Sequence, residues 1–347
     1  MTDRGLLDLI IARLPRLEPR ERAVLCDALE DERDLARRSK SDVEALIGRR
    51  LAAPWDLDLV RLLAERDERD ARARGISWVS YCGAGYPPLL RHVYDPPVVL
   101  FYRGSLPNAE RPLVAIVGTR KPSPASAAQA FEIARGLARA GLSVVSGLAL
   151  GIDAMAHRGC VEGGAQTFAV LGSGVDMVYP SSNRALARRA LETGGALLSE
   201  YPPGTGARKR YFPARNRIIS GLCRGTLVVE APEKSGARIT ARLALEQNRD
   251  LWVASAGVAD TSADSGLSGA FDRRGTARLA EEGAEVVYSA NDILRSWNIA
   301  PGGLRQGAAP GAAPAGAGSD AVANATDAAG AAAAEASSLA RSLGITL

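Results

Sequence analysis

Residues 212–253 read FPARNRIISGLCRGTLVVEAPEKSGARITARLALEQNRDLWV. Leading into the stretch is a cationic loop with aromatic tips, Lys209, Arg210, Tyr211, Phe212, Arg215 and Arg217, placed directly before a helix. A buried-type strand follows at Thr226–Val229, then a Ser-Gly turn at Ser235 and Gly236, then a second helix. A parallel strand ending in a turn that opens a helix is the geometry that receives phosphates. One nucleotide needs few charges, so the additional cations and aromatic rings point to a nucleic-acid polymer.

The same alternation extends outward on both sides. Apolar, β-branched runs occur at residues 98–102, 113–117, 143–146, 166–171, 196–199, 226–229, 251–254 and 285–287. Helical stretches fit residues 126–140, 183–193, 238–248 and 276–282. Strands alternating with helices of this length predict an α/β fold of right-handed βαβ units around a mainly parallel sheet. Near-continuous apolar strands such as LVAIV and TLVV fit a sheet covered on both faces.

Residues 1–75 read instead as a small helical region. Ser41 with Glu44 forms a capping-box pattern, and Asp56 suits the cap of a helix that ends near Gly75. The run ERDERDARAR within it is expected to be a solvated helix face. Residues 76–298 form the α/β domain. Residues 299–347 turn to Gly, Ala, Pro and Ser, a composition that cannot bury enough apolar surface to offset chain entropy and is expected to be disordered.

Composition narrows the class further. The 347 residues carry a formal net charge of +4, which permits a nucleic-acid partner without demanding one. Cys26, Cys82, Cys160 and Cys223 show no CxxC spacing, so neither a disulfide framework nor a zinc site is indicated. No run is long and apolar enough for a membrane span and no signal peptide opens the chain, so a soluble cytoplasmic protein with no membrane association is expected.

Three more glycine turns follow strands. VAIVGTRKPSP places Gly118, Thr119, Arg120 and Ser123 after the strand at 113–117. VVSGLALGIDAMAHRG places Gly147 and Gly151 after the next; its Asp153 and His157 share a helix face, a spacing commoner for a cap and an interhelical histidine than for an acid–base pair. AVLGSGVDMVYPSSN offers Gly172 and Gly174, but Met177 stands where GxGxxG needs its third glycine. A Walker GxxxxGK[ST] motif is absent from the sequence. Lys209, Phe212, Arg215 and Arg217 suit a single strand, rings for bases and cations for phosphates. Alternatively, Phe212 packs in the core and Arg217 pairs with an acid such as Glu230. Lys234, Ser235 and Gly236 form a further phosphate-type turn, equally readable as an ordinary N-cap.

In order and spacing, VGTRKPS, SGLALGIDAMAHRG, AVLGSGVDMVYPSSN, GALLSEYPPGT, FPARNRIISGL, LVVEAPEKSGARITARLALEQ and GTARLAEEGA resemble the DNA-processing protein A family, also called Smf, over residues 76–290. The resemblance implies an extended Rossmann-like domain behind a sterile-alpha-motif-like helical one. It implies binding and protection of incoming single-stranded DNA in natural transformation, loading of the RecA recombinase, and a homodimer, with no catalytic residue, cofactor or metal. Gly118, Thr119, Arg120 and Ser123 match the family's first phosphate-contacting turn. Lys209, Phe212, Arg215, Asn216 and Arg217 match its DNA-binding loop and helix, and Lys234, Ser235 and Gly236 its second turn. Gly147 and Gly172 complete the expected DNA-binding set. The chain departs from the pattern at Leu150, where a cation is common, at Ala254–Gly257, and at Ala277. The tail is expected to carry no winged helix. The competing readings are a nucleotide phosphoribohydrolase, whose PGGxGT turn is missing from GGALLSEYPPGT, and a sensor of a small nucleotide.

Overall fold

The computed structural model describes residues 3–52, 55–258 and 271–300. The expected disordered tail beyond residue 300 and residues 259–270 lie outside the described residues.

The strands are β1 (Ser77–Ser80), β2 (Val99–Gly104), β3 (Leu113–Val117), β4 (Ser143–Ser146), β5 (Thr167–Val170), β6 (Ala196–Ser199), β7 (Gly225–Val228), β8 (Asp250–Ala254) and β9 (Glu285–Val287). They form one sheet in the order β1-β2-β6-β5-β4-β3-β7-β8-β9. Strands β3 to β9 pair in parallel, whereas β1 and β2 add an antiparallel edge. β1 escaped the sequence reading because SWVS is short and mostly part-exposed; it is held by register with β2, Trp78 opposite Phe101.

Period-two alternation splits the central strand between two cores. Val114 and Ile116 face one buried cluster, and Leu113, Ala115 and Val117 face the other. All five are buried, the signature of a parallel strand covered on both sides. Helices α7 (Pro124–Arg139), α8 (Ile152–Glu162) and α13 (Ala290–Ser296) cover the first face. α10 (Tyr211–Gly221), α11 (Gly236–Glu246) and α12 (Arg274–Glu281) cover the second. α9 (Arg184–Glu192) lies against β5 and β6. From β3 the chain steps outward through β4, β5 and β6, then returns so that β7 pairs on the other side of β3. The order reverses between β3 and β7, and open α/β sheets bind ligands at the carboxyl ends of such a pair.

The N-terminal helices are α1 (Asp3–Arg13), α2 (Pro19–Ala28), α3 (Glu32–Arg37), α4 (Lys40–Ile47) and α5 (Leu57–Ala73), with a short α6 (Pro88–Arg91) after β1. α1 is their centre: Leu7, Asp8, Leu9, Ile10 and Ile11 are all 2% exposed or less, so it is surrounded on every side. Its cluster continues into Val98, Phe101 and Leu197, which seats the helices on the antiparallel end of the sheet. Asp56 caps α5 as expected, accepting from Leu59 N at 2.9 Å. The box ahead of α4 falls two residues earlier than expected. Ser39 accepts from Asp42 N at 3.2 Å and Asp42 accepts from Ser39 N at 2.8 Å, while Glu44 accepts from Leu51 N at 2.7 Å. Nor is the charged run of α5 wholly solvated: Asp67 is buried and takes a bidentate pair from Arg13, tying α5 to α1.

Asp153 and His157 are structural, as their spacing favoured. Asp153 accepts from Gly147 N at 3.1 Å and Ala149 N at 3.3 Å, shaping the loop after β4. His157 Nδ1 lies 2.7 Å from Thr167 Oγ1, which itself donates to Val144 O at 2.9 Å. The threonine proton is thus committed, so Nδ1–H is the donor, while Nε2 is buried with no partner among the described residues, as suits a ring without a second proton. Burial, with the Arg215 charge adding to it, pushes His157 down to about 3.

A neutral imidazole in the fold and an ordinary one in the unfolded chain give a signed pH dependence. The unfolded state binds the extra proton, so stability falls as pH drops below about 6.5 and continues to fall toward the folded pKa. The loss from this group is about 1.4 kcal/mol per pH unit. Urea unfolding at stepped pH should show this slope, and His157→Gln should remove it; equal slopes in both proteins would exclude a buried neutral imidazole.

Candidate nucleic-acid interface

The carboxyl ends of β3 and β7 open into a cleft of about 720 Å³. One wall is the turn after β3. Gly118 lies so close to α8 and β7 that a Cβ there would stand 2.6 Å from the Ile152 side chain and 3.0 Å from Glu230 O. The turn is fastened to β7 by Thr119 N, which donates to Glu230 O at 2.7 Å, and to α8 by Thr119 O, which accepts from Ile152 N at 3.1 Å. Ser123 is 2% exposed; its N and Oγ donate to the Glu230 carboxylate, the hydroxyl at 2.6 Å. Ser123 therefore anchors the turn and caps α7 instead of facing a phosphate. With Thr119 N and Ser123 N spent on Glu230, and Lys121 N on Thr119 Oγ1 at 3.2 Å, the turn offers cationic side chains more than backbone donors. Arg120 and Lys121 are exposed and line the cleft.

The opposite wall is the loop entering α10. Lys209 is exposed beside half-buried Phe212, and both line the cleft. The Phe212 ring lies 5.6 Å from the Tyr179 ring at 46°, with the Arg120 guanidinium 5.6 Å from its centre. Gly172 makes room for that ring: a Cβ there would meet it at 3.1 Å. Tyr211 stacks on Tyr201 at 4.0 Å, which steadies the first turn of the helix.

Arg215 and Arg217, two positions apart, point to different sides of α10. Arg215 is 5% exposed and reaches the cleft floor, donating to Gly147 O at 2.8 Å and to Val170 O. Its Nε is buried without a hydrogen-bond partner among the described residues. Gly147 is glycine because the guanidinium fills the place of its Cβ, which would stand 2.4 Å away. Burial pushes Arg215 down to about 10 against the pull of Asp153, which leaves it charged at neutral pH.

Arg217 is turned away from the cleft. It is 4% exposed and holds Glu200 by two bonds of 2.8 and 2.7 Å and Asp95 by its carbonyl at 2.8 Å and carboxylate at 3.1 Å. Despite burial, Glu200 and then Asp95 hold its pKa above the ordinary arginine value. Its expected direct phosphate contact is thus replaced by an internal one, and the acid is Glu200 instead of Glu230.

The third side is the start of α11. Ser235 is the N-cap, accepting from Arg238 N at 3.4 Å, and Gly236 lines the cleft. Asn216 joins the two helices by donating to Gly236 O at 3.2 Å. Lys234 is exposed and faces a neighbouring hollow with Arg238 and Arg242. Behind it, Thr276 Oγ1 accepts from Ala231 N at 2.9 Å, so the threonine of the GTA sequence keeps a structural task although Ala277 departs from the family pattern. Leu150 is 47% exposed, next to Ala149 of the cleft lining.

The structure thus brings Gly118, Thr119, Arg120, Lys209, Phe212, Arg215, Asn216, Ser235 and Gly236 to one cleft. Ser123, Gly147, Gly172 and Arg217 support it from behind, and Lys234 stands at its side. Sequence reasoning missed Lys121 and Tyr179 as lining residues. Lys121 stood in plain view beside Arg120, whereas Tyr179 is 33 positions from Phe212 in the chain and no local pattern links them.

A model of the DNA recombination-mediator protein A family matches residues 77–298. Protein Smf of Synechocystis is 43% identical over 220 residues, covering 62% of this chain and 52% of that protein. DNA processing protein DprA of Streptococcus pneumoniae is 41% identical over 209 residues, covering 60% of this chain and 70% of its own. The crystal structure of the S. pneumoniae protein superposes with a TM-score of 0.63 at 32% identity, over 85% of this chain and 98% of that one. DNA processing protein A of Helicobacter pylori, whose structure is described for its single-stranded DNA binding mode, gives 0.54 at 29% identity, over 64% and 95%. The chain spans about half the length of the Synechocystis relative. The walls and floor of the cleft all lie inside the matched segment, and the chain belongs to the DNA recombination-mediator protein A family.

Proposed function

We propose that this protein binds single-stranded DNA in the cleft between β3 and β7 and takes part in DNA processing during transformation. One observation carries the reading. Exposed Arg120, Lys121 and Lys209 surround the Phe212–Tyr179 ring pair above the buried Arg215 guanidinium. Rings accept bases of any sequence, and cations follow the phosphates. The names of the relatives support the same reading: they are called DNA processing proteins, and the H. pylori one binds single-stranded DNA.

The finer parts of the proposal are protection of the bound strand, its delivery to the RecA recombinase and action as a homodimer, which rest on family resemblance, together with a cytoplasmic location. Light scattering at micromolar concentration should give twice the chain mass; a monomer would remove the dimer from the proposal. No described helix is long and apolar enough to cross a membrane.

A small-nucleotide reading has one observation in its favour, since about 720 Å³ is within the size of an ordinary ligand pocket. The turnover version is less well served. The nearby carboxylates are occupied: Asp153 accepts two backbone N–H groups, and Glu230 holds Ser123 and Arg273. Incubation with nucleoside monophosphates should release no base, and mononucleotide should not displace a bound dT oligomer. Either opposite result would replace the proposal.

Salt and point variants test the assignment of roles. With Arg120, Lys121, Lys209 and Arg215 on phosphates, log K for a dT oligomer should fall with log salt at a slope of roughly −3. Lys209→Ala should flatten that slope by about 0.7 and leave the melting temperature alone. Arg217→Ala should behave in the opposite manner. It strands Glu200 and Asp95 and should cost about 3–5 kcal/mol of stability, while the remaining folded protein keeps the wild-type slope. A stable Arg217→Ala protein with a flatter slope would return Arg217 to the interface.

Phe212→Ala isolates the ring. Binding should weaken by about 1–3 kcal/mol with the salt slope unchanged. The ring is only half-buried, so the melting temperature should move little. A variant that melts several degrees early and binds normally would make Phe212 a packing residue.

A further inference from the structure

Cys26 and Cys82 are 56 positions apart in the chain, yet the fold brings them together at the junction of the helical region and the sheet. Cys26 is in α2 and is 1% exposed; Cys82 is exposed, in the turn that follows β1. The two sulfurs and an Asp8 carboxylate oxygen all lie within 4.8 Å of one another, and Cys82 Sγ is 3.6 Å from the Cys26 carbonyl oxygen. Arg4 reaches into the same cluster. Its Nη2 is 2.9 Å from Cys82 Sγ, its Nε is 3.3 Å from Asp8, and it donates to the carbonyls of Cys26 and Leu29.

This is the arrangement of an attacking and a resolving thiol. A reactive cysteine is accessible, hydrogen-bonded as a thiolate and close to a cation, with a second thiol in reach. Cys82 is exposed and accepts from Arg4 Nη2, with Cys26 as the second thiol; as a thiol it donates to Cys26 O, a contact it gives up on ionising. The neighbouring Cys26 thiol and the Arg4 charge push the Cys82 thiol down to about 7, against burial, Asp8 and Asp27. Cys82, burial and Asp8 hold the Cys26 thiol up, and its proton is directed to Asp8 Oδ1 at 3.5 Å. Cys160 and Cys223 are buried, and burial raises both thiols, to about 12 for Cys160.

We propose that Cys26 and Cys82 form a peroxide-responsive dithiol that closes to a disulfide between α2 and the β1 turn. The Cys82 thiolate attacks one oxygen of hydrogen peroxide. A sulfur–oxygen bond forms, the oxygen–oxygen bond breaks, and hydroxide leaves and takes a proton from solvent to become water. Cys82 is now a sulfenic acid, oxidised by two electrons, and the peroxide is reduced. The Cys26 sulfur then attacks the Cys82 sulfur. The sulfur–sulfur bond forms, the sulfur–oxygen bond breaks, and the leaving hydroxide takes the Cys26 proton as a second water. The product joins the helical region covalently to the first strand of the sheet.

The test uses the full chain and hydrogen peroxide. Peptide mass mapping without reductant should find a Cys26–Cys82 crosslink within one chain, with two thiols lost and both restored by dithiothreitol. The crosslink closes a long loop, so the melting midpoint should rise by roughly 5 °C or more. Cys26→Ser, or Cys26→Ala if serine is not tolerated in the core, should halt the sequence at a Cys82 sulfenic acid that dimedone traps. Iodoacetamide should alkylate Cys82 with a midpoint near pH 7, well below the ordinary thiol at about 8.5. The proposal fails if Cys82 titrates as an ordinary thiol, if the crosslink joins Cys82 residues of two chains, or if peroxide consumes Cys160 or Cys223 first.

Discussion

The buried carboxylate of Glu230 is the constraint on which the cleft depends. It stands at the end of β7, 1% exposed, where the sheet order reverses. Its backbone oxygen takes Thr119 N, and its carboxylate takes Ser123 N and Oγ with Arg273 alongside at 3.4 Å. A buried anion is tolerated only when its charge and lone pairs are met. Here the groups that meet them belong to the turn after β3, so the requirement of one side chain fixes the turn that presents Arg120 and Lys121. The same serine caps α7, accepting from Ser126 N at 3.3 Å. Strand pairing, turn shape and helix entry are thus settled at one point.

A second buried charge performs the same service for the opposite wall. Arg217 is clamped between Glu200, just past β6, and Asp95, ahead of β2, and this fixes the rotation of α10 about its axis. With that rotation set, Arg215 can point only into the floor, where Gly147 has no side chain to obstruct it. Two arginines that look equivalent in the sequence therefore carry different tasks, one supporting the helix and one facing the ligand space.

This division explains how much was legible in the chain alone. Short, near-continuous apolar runs gave β2 to β9 to within a residue or two, and in the central parallel strands burial on both faces makes that pattern dense. β1 lacked that pattern, since an edge strand of four residues is specified by its partner. The capping box was misplaced by two positions because Ser39 and Ser41 both satisfy the spacing rule, and only the local geometry chooses. The cationic and aromatic content of the site was visible, but the direction of each side chain was not. Arg217 and Ser123 were read as contacts because residue type advertises affinity for phosphate, while burial and existing partners decide whether that affinity remains available. Proximity of distant residues was beyond reach altogether: Tyr179 meets Phe212, and Cys26 meets Cys82, only after the chain has closed.

The helical region takes part in the same electrostatic arrangement. Arg22 of α2 is half-buried, donates to Leu14 O at 3.0 Å, and senses both the attraction of Glu200 and the repulsion of Arg217. Burial lowers its pKa, and Glu200 opposes that loss. One carboxylate thus compensates a cation from the helical region and another from α10. Removing water from around an ion pair strengthens its attraction, because the effective dielectric falls. By sharing the buried cluster that continues into Val98 and Phe101, α2 helps to exclude that water. The position of Arg215 in the cleft thus rests on the rotation of α10 that Glu200 and Asp95 fix, and Glu200 answers cations on both sides of the junction.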